Sequence, residues 1–316
     1  MISSQQEATP IGSAGASSQR HGAWREHALV SRSFGLTDRG KVRPANEDQF
    51  LIATLARALW IQQSSLPQQP VRYADAEGLL LVVADGMGGV AGGALASALA
   101  LGAIEDFLLT SLSWLFGLDG PAEGGELEVL EQFEGALRRA DARVCDAASR
   151  HPELTGMGTT LTMAYAHGSE LFVAHVGDSR CYLLRGGGLH QLTRDHTWVQ
   201  DMVESGVLPP ENAPHHELRH IVTNAVGGPR PGVRVEVHKV DLMPGDVLLL
   251  CTDGLTEMVP NDDILVVVRD ELDPRAACER LVQLANDRGG RDNVTAVVAR
   301  YERPATPPPA RAPQAT

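Results

Sequence analysis

Leu79-Leu80-Leu81-Val82-Val83-Ala84-Asp85-Gly86-Met87-Gly88-Gly89 (79–89) is an apolar, partly β-branched run halted by an acid and three closely spaced glycines. The run reads as a buried strand, and the Asp-Gly break leaves the Asp85 carboxylate at its C-terminal end. Two further stretches repeat the arrangement: 247–251 runs into Thr252-Asp253-Gly254, and 171–176 runs into Gly177-Asp178-Ser179-Arg180. Glu47-Asp48 and Asp292-Asn293 are the mirror case, since each stands just before an apolar stretch, 50–53 and 294–299. If those strands run antiparallel to the first three, Glu47, Asp48, Asp85, Asp178, Asp253 and Asp292 meet at one edge of a sheet. An unneutralised cluster of that density repels itself by on the order of several kcal/mol, so it either raises its own pKa values or holds cations. Hard oxygen ligands with positions left open suit Mg²⁺ or Mn²⁺.

Outward from these acids, the rest of the chain reads as one α+β body with largely antiparallel sheets, because strands cluster in runs rather than alternating with helices. Helical patterns cover 92–109 and 127–148, broken at Gly117-Leu118-Asp119-Gly120-Pro121. Strands are predicted at 159–165, 171–176, 181–184, 233–240 and 247–251, with a hairpin turn at Arg185-Gly186-Gly187-Gly188. Shorter helices are predicted at 197–205, 262–271 and 274–287, before a last strand. A Gln- and Pro-bearing segment around 60–70 reads as a surface insertion. Residues 1–27 and 303–316 read as mobile tails around a domain at 28–302.

Composition narrows the function classes. A formal charge of -13 on 316 residues argues against non-specific nucleic-acid binding, which needs a basic face. The apolar stretch at 94–118 carries Glu105 and Asp106 near its middle, and a charge at a bilayer centre costs about 2.5–3.5 kcal/mol, so it reads as a core helix and no membrane span is expected. Cys145, Cys181, Cys251 and Cys278 lie far apart with no CxxC spacing and read as small buried hydrophobes in a reducing compartment. The N-terminus has neither the charged nor the apolar part of a signal peptide, so a cytoplasmic location is expected.

Arg43, in Arg43-Pro44-Ala45-Asn46-Glu47-Asp48, adds a fixed cation beside the acids. Its planar guanidinium can grip a phosphoryl group through two hydrogen bonds, which makes it a candidate substrate clamp; a structural ion pair with a nearby acid is the competing reading.

The strings TDRGKVRPANEDQF (37–50), VVADGMGG (82–89), GMGTTLT (156–162), HVGDSRCYLLR (175–185), LTRDHTWV (192–199), CTDGLTE (251–257) and RDNVTAVV (291–298) together resemble the ordered motif series of the PPM family, the metal-dependent protein phosphatases 2C, in their short bacterial form. The resemblance implies a sandwich of two mainly antiparallel sheets flanked by helices. It implies that Asp85 bridges two Mn²⁺ or Mg²⁺ ions, that the Gly86 carbonyl and Glu47 serve one, and that Asp253 and Asp292 serve the other. Asp48 would hold metal-bound water, and Asp178 with Asp253 would form a third position. The implied activity is hydrolysis of phosphoserine and phosphothreonine in proteins by a metal-bridging hydroxide, with Arg43 on the phosphate, reversing a bacterial Ser/Thr kinase. Phosphorylated proteins, such a kinase among them, are the implied partners of a monomeric chain. Met87 departs from the animal enzymes, which carry His there; a thioether donates no proton, so a metal-bound water is expected to protonate the leaving group. A catalytically silent pseudophosphatase that binds a phosphorylated partner is the alternative, disfavoured because no acid of the set is missing.

Two other patterns need weighing. His216-Glu217-Leu218-Arg219-His220 matches the HExxH helix of zinc proteases, but Thr223, Asn224 and Gly227-Gly228 cut such a helix short. In relatives this segment reads His-Pro-x-Arg-Asn; here Glu217 and His220 replace Pro and Asn, and a solvated flap is expected. Gly86-x-Gly88-x-x-Ala91 resembles a dinucleotide fingerprint, yet Asp85 would point its charge at the pyrophosphate, and Glu105 or Asp106 falls in a helix. Asp195-His196 reads as a helix cap. Thr159 and Thr160 are expected on a core strand near the site.

Overall fold

The computed structural model describes residues 29–60, 71–115, 125–229 and 232–304. The N-terminal tail, nearly all of the C-terminal tail and most of the insertion expected around 60–70 lie outside the described residues. Chain order runs β1 Val30–Asp38, β2 Gln49–Trp60, β3 Val71–Ala84, β4 Gly86–Met87, α1 Gly89–Leu115, α2 Gly125–Arg150, β5 Gly158–Thr159, β6 Leu161–His167 and β7 Glu170–Val176. It continues through β8 Arg180–Arg185, β9 Gly188–Gln191, α3 Trp198–Glu204, β10 Val226–Gly227, β11 Glu236–Asp241 and β12 Val247–Cys251. Helices α4 Asp253–Thr256, α5 Asn261–Asp270 and α6 Pro274–Asp287 precede the closing strand β13 Val294–Glu302.

Two five-stranded antiparallel sheets, ordered β1-β13-β12-β8-β9 and β11-β7-β6-β3-β2, face each other, and a three-stranded ribbon β10-β5-β4 sits beside them. The two-residue period of a strand assigns each side chain to a layer. In β3, Leu79, Leu81 and Val83 enter the space between the sheets, where they meet Cys181, Leu248, Leu250, Val297 and Ala299 of the other sheet. Leu80, Val82 and Ala84 point the opposite way, against Ala100, Ile104 and Phe107 of α1 and Phe133 and Leu137 of α2. The outer face of the sheet β1-β13-β12-β8-β9 is covered by α5 and α6 through Ile264, Val268, Leu281 and Ala285. Full burial of each Leu, Ile or Val side chain in these layers contributes about 1.5–3 kcal/mol, which orders the whole as helix, sheet, sheet, helix.

Within α1, Gly92–Thr110 is long and apolar enough to cross a membrane, yet its Ala96, Ala100, Ile104 and Phe107 lie in the helix-sheet core. It is the core helix that Glu105 and Asp106 predicted, both exposed on its outer side. Strand β1 was not foreseen: its polar, partly exposed residues give little apolar signal, but nine register pairs fasten it along β13, from Val30↔Glu302 to Asp38↔Val294. The expected cap at Asp195-His196 is corrected, because Thr197 caps α3 through its side-chain oxygen and the Gln200 amide. Asp195 instead receives Arg180 in a two-oxygen pairing.

His175 of β7 is fully buried between the sheets and their connecting loops. Its Nδ1 lies 2.8 Å from the Thr162 hydroxyl, and its Nε2 lies 3.0 Å from the carbonyls of Gly177 and Arg194. Burial holds its pKa down at about 3, with neighbouring His196 a lesser cause. An unfolded histidine titrates near 6.5, so this group binds a proton only after unfolding, and its contribution is present above about pH 6.5 and lost as pH falls toward 3. The stability difference between wild type and His175→Gln, measured by urea titration, should therefore shrink by about 1.4 kcal/mol per pH unit between pH 6 and 4.5. A pH-independent difference would contradict a neutral buried imidazole.

Candidate metal centre and active site

Antiparallel pairing brings the acids together. The register Gln49↔Ala84 sets Glu47 and Asp48, entering β2, beside Asp85, leaving β3. The pairing of β12 with β13, ending at Cys251↔Ala296, does the same for Asp253 and Asp292. Asp178 follows β7 in the neighbouring loop. A cleft of about 680 Å³ at this end is lined by Glu47, Asp85, Gly86, Asp178, Asp253 and Asp292, with Arg43 and Met87.

The glycine after each central aspartate has a steric cause. A Cβ on Gly86 would lie 2.2 Å from the Gly93 carbonyl oxygen, and one on Gly254 would lie 1.9 Å from that of Asn293. Only hydrogen fits there, so the loop bearing Glu47, the start of α1 and the loop bearing Asp292 can close on the two strand ends.

Neutral donors fix the carboxylates. Asp85 is held through its backbone: its N–H donates to Thr160 Oγ1 at 2.9 Å, and its carbonyl accepts from the Thr160 N–H at 2.9 Å and the Thr159 hydroxyl at 2.8 Å. Asn293 fastens the loop between β1 and β2 at three points, accepting from the Glu47 N–H at 2.8 Å and donating at 2.9 Å to the carbonyls of Arg39 and Ala45. Asp48 lies beneath the cleft, not in its wall; it is buried, and its Oδ2 accepts from the hydroxyls of Thr252 at 2.8 Å and Thr295 at 2.6 Å. Arg43 is half exposed, lines the cleft, and donates to Asp292 Oδ2 at 2.5 Å. The competing reading of Arg43, a structural ion pair, is thus the one observed, and the pair is made at the mouth of the same site.

What remains is unbalanced negative charge. Burial pushes Asp48 up to about 7, with Asp253 and Asp292 adding to it, and pushes Asp253 up to about 6, with Glu257 and Asp292 adding to that. Asp85 and Asp178 are raised well above the carboxylate range, again chiefly by burial, and Asp85 stands close enough to Asp253 for the two to share a proton. Oδ1 of Asp48 and Oδ1 of Asp253 are buried without a hydrogen-bond partner. Ionised carboxylate oxygens only accept, so orphaned ones among like charges fit divalent cations bound by hard oxygen donors. Glu47, Asp85, the Gly86 carbonyl, Asp253, Asp292 and Asp178 are the donors available.

Residues outside the predicted set also line the cleft: Arg219, His220, Glu257 and Arg291. Glu257 follows Asp253 by four residues in a helical turn, a spacing visible in CTDGLTE, whereas Arg219 and His220 arrive from a remote segment. The HExxH reading fails on conformation, since 217–220 form turns and not a helix. His216 accepts from the Leu218 N–H at 3.1 Å, while His220 Nδ1 pairs with Glu257 Oε1. His220 remains exposed, as expected of a solvated flap, and that one pairing ties it to the cleft wall.

The sequence pattern of the family described as Protein phosphatase 2C matches residues 66–293, and the chain belongs to that family. It is 36% identical over 271 residues to the serine/threonine protein phosphatase PstP of Mycobacterium tuberculosis, a match that covers 86% of this chain and 45% of PstP. The chain therefore spans about half the length of that relative. The serine/threonine phosphatase stp of Listeria monocytogenes is 32% identical over 266 residues, covering 83% of this chain and 92% of stp. The crystal structure of the M. tuberculosis phosphatase PstP/Ppp superposes with a TM-score of 0.69 at 34% identity, over 87% of this chain and all of that one. A second PstP structure, its catalytic domain in complex with two manganese ions, gives 0.66 at 34% identity.

The raised carboxylates set a pH dependence. A group whose pKa is raised by folding stabilises fully below its unfolded value of about 3.8 and loses that contribution as pH rises through its folded value, here about 6 to 7. Metal-free protein should therefore lose thermal stability between about pH 4 and 7, and Mn²⁺ should restore it. Because protons compete for the same oxygens, the Mn²⁺-induced rise in Tm should be largest at pH 8 and nearly vanish at pH 5.5, as read by differential scanning calorimetry.

Proposed function

We propose that the chain is a Mn²⁺- or Mg²⁺-dependent protein serine/threonine phosphatase that reverses a Ser/Thr kinase. The observation that carries this reading is the meeting of Asp85, Asp253 and Asp292 in one cleft, with a buried, partnerless oxygen on Asp253. Asp85, Asp253 and Asp292, with Glu47 and the Gly86 carbonyl, would hold divalent cations, which would supply an acidified water as nucleophile and draw charge off the phosphoryl oxygens. Arg43 contributes a planar donor at the cleft mouth, suited to two phosphoryl oxygens, and its pairing with Asp292 fixes its direction before substrate arrives. Asp48, clamped by Thr252 and Thr295, holds a fixed acceptor beneath the centre. Met87 lines the cleft and has no proton to give, so water serves as the proton source for the leaving alkoxide.

Substrates are phosphoserine and phosphothreonine in proteins, because a cleft open at one end of the sandwich admits an extended segment of a partner. The reading is supported by the names of the relatives, all of them serine/threonine or protein phosphatases. The chain is proposed to act as a monomer in a reducing cytoplasm, a placement supported by four free thiols, three of them buried. A silent fold that only binds phosphorylated partners is the competing reading, and the complete acid set counts against it.

On a chromogenic phosphate ester, Mn²⁺ should activate turnover and a chelator should abolish it. Asp253→Asn should lower kcat by about 10²-fold or more, equivalent to about 2.7 kcal/mol in the barrier. Turnover that survives chelation would rule the mechanism out, and a folded, Mn²⁺-binding protein without turnover on phosphoserine or phosphothreonine peptides would favour the silent fold.

A further inference from the structure

Outside the cleft, a short ribbon leaves three large apolar side chains in water. Thr197, just ahead of α3, pairs antiparallel with Val222, and the Trp198 N–H donates to the Ile221 carbonyl at 2.9 Å. Trp198 and Ile221 are therefore cross-strand neighbours, with Cβ atoms about 4.5–5.5 Å apart. A turn closed by the Ile221 N–H on the Leu218 carbonyl at 3.1 Å keeps Leu218 beside them. Exposure is 50% for Trp198, 41% for Ile221 and 37% for Leu218, so folding leaves much of this apolar area without a partner. Single exposed apolar residues need no account, whereas three joined through one ribbon, one of them a tryptophan, mark an interaction surface.

We propose that Trp198, Leu218 and Ile221 form a docking strip for the phosphorylated protein, which takes a bulky apolar side chain within about four residues of the phosphoserine or phosphothreonine. Chain position supplies the occupant. Leu218 and Ile221 interleave with Arg219, His220 and Val222, which line the cleft, while Leu218, Ile221 and Trp198 stand outside it. The strip and that wall are thus two faces of one segment, and a polypeptide leaving the cleft on this side runs over the strip. His220, one residue from Ile221, reaches Glu257 in the wall, and an extended partner advances about 3.3 Å per residue, so a few residues span the gap. Charge selects further. Glu217, beside Leu218, and Glu211, in the turn before it, are exposed and make no ion pair among the described residues, which favours a lysine or arginine next to the apolar residue. A second copy of this chain fits less well, because across a twofold axis the same acids would face each other. The phosphorylated partner rests on the phosphatase reading; a strip for an apolar, basic segment does not.

The groove between α1 and α2 that Leu95, Leu99 and Leu154 line is a contrasting case. Its cations are already matched, Arg143 by Asp106, Arg150 by Asp146 and His151 by Glu153, so no free charge there chooses a ligand. On the strip, a leucine half buried against Trp198 is worth about tenfold in affinity. The contact lies away from the reacting phosphorus and is the same before and during the transfer, so its effect falls on KM and not on kcat.

The test uses the full chain with Mn²⁺ and paired lysine-bearing phosphothreonine peptides that carry either leucine or serine three residues before or after the phosphothreonine. Wild type should favour a leucine peptide about tenfold in kcat/KM, through KM. The double variant Trp198→Ser, Ile221→Ser should cut that preference below about twofold, while its turnover of a chromogenic ester, too small to reach the strip, stays within about twofold of wild type. Trp198→Phe should keep the preference. Equal use of both peptides by wild type, or a preference that survives in the double variant, overturns the strip. So does a double variant whose ester turnover falls by the same factor, or a wild-type dimer that the double variant dissolves in analytical ultracentrifugation. The same peptides with a non-hydrolysable phosphonate, read by fluorescence anisotropy, should bind in the same pattern without turnover. Wild type that hydrolyses neither ester nor peptide, yet binds the leucine phosphonate about tenfold tighter than the serine one, would count against the phosphatase reading and leave the strip standing.

Discussion

Like charges forced together at the end of a dry sandwich are the constraint on which this structure depends. Glu47, Asp48, Asp85, Asp178, Asp253 and Asp292 come from five separate strand ends, and the hydrogen bonds of two antiparallel sheets deny them the freedom to move apart. Burial and mutual repulsion penalise their ionised forms, as the raised pKa values of Asp48, Asp85, Asp178 and Asp253 record. A fold that keeps such a cluster must neutralise it with protons or with metal ions, and the choice between those two depends on pH.

Support for the cluster is built from neutral groups. Thr252 and Thr295 hold Asp48, Thr159 and Thr160 hold the backbone of Asp85, and Asn293 fastens the loops that carry Glu47 and Asp292. Hydroxyls and amides orient a carboxylate without cancelling its charge, so the site remains anionic and rigid at once. A lysine or arginine in those positions would have satisfied the acids internally. Arg43 is the exception, and it stands at the exposed rim, where its guanidinium can serve both Asp292 and an arriving anion.

Much of this was legible in sequence. Apolar runs that end in Asp-Gly betray a strand, its terminus and a close backbone approach in a few residues, and the unbroken apolar run 79–84 marks a buried strand. Strand β1 escaped notice because its residues are only partly buried and it is recruited by β13, 270 residues away at their outer ends, and not by its own pattern. The reading of Asp195 as a cap failed because local propensity cannot foresee that Arg180 claims it across a hairpin. His220 carried a misleading local signal: its spacing from His216 suggested a zinc helix, whereas the partners it finds are Asp253 and Glu257.

By itself, the sequence determined the α+β class, the strand ends that carry the acids and the hard-oxygen chemistry those acids offer, because side-chain type and two-residue periodicity are local properties. Tertiary structure alone decided which acids share the cleft, that Asp48 sits beneath it, that Arg43 is bound to Asp292, and that a flap histidine meets the turn after β12. Those outcomes depend on register and on loops folding back over long sequence separations, which no local pattern of residues encodes.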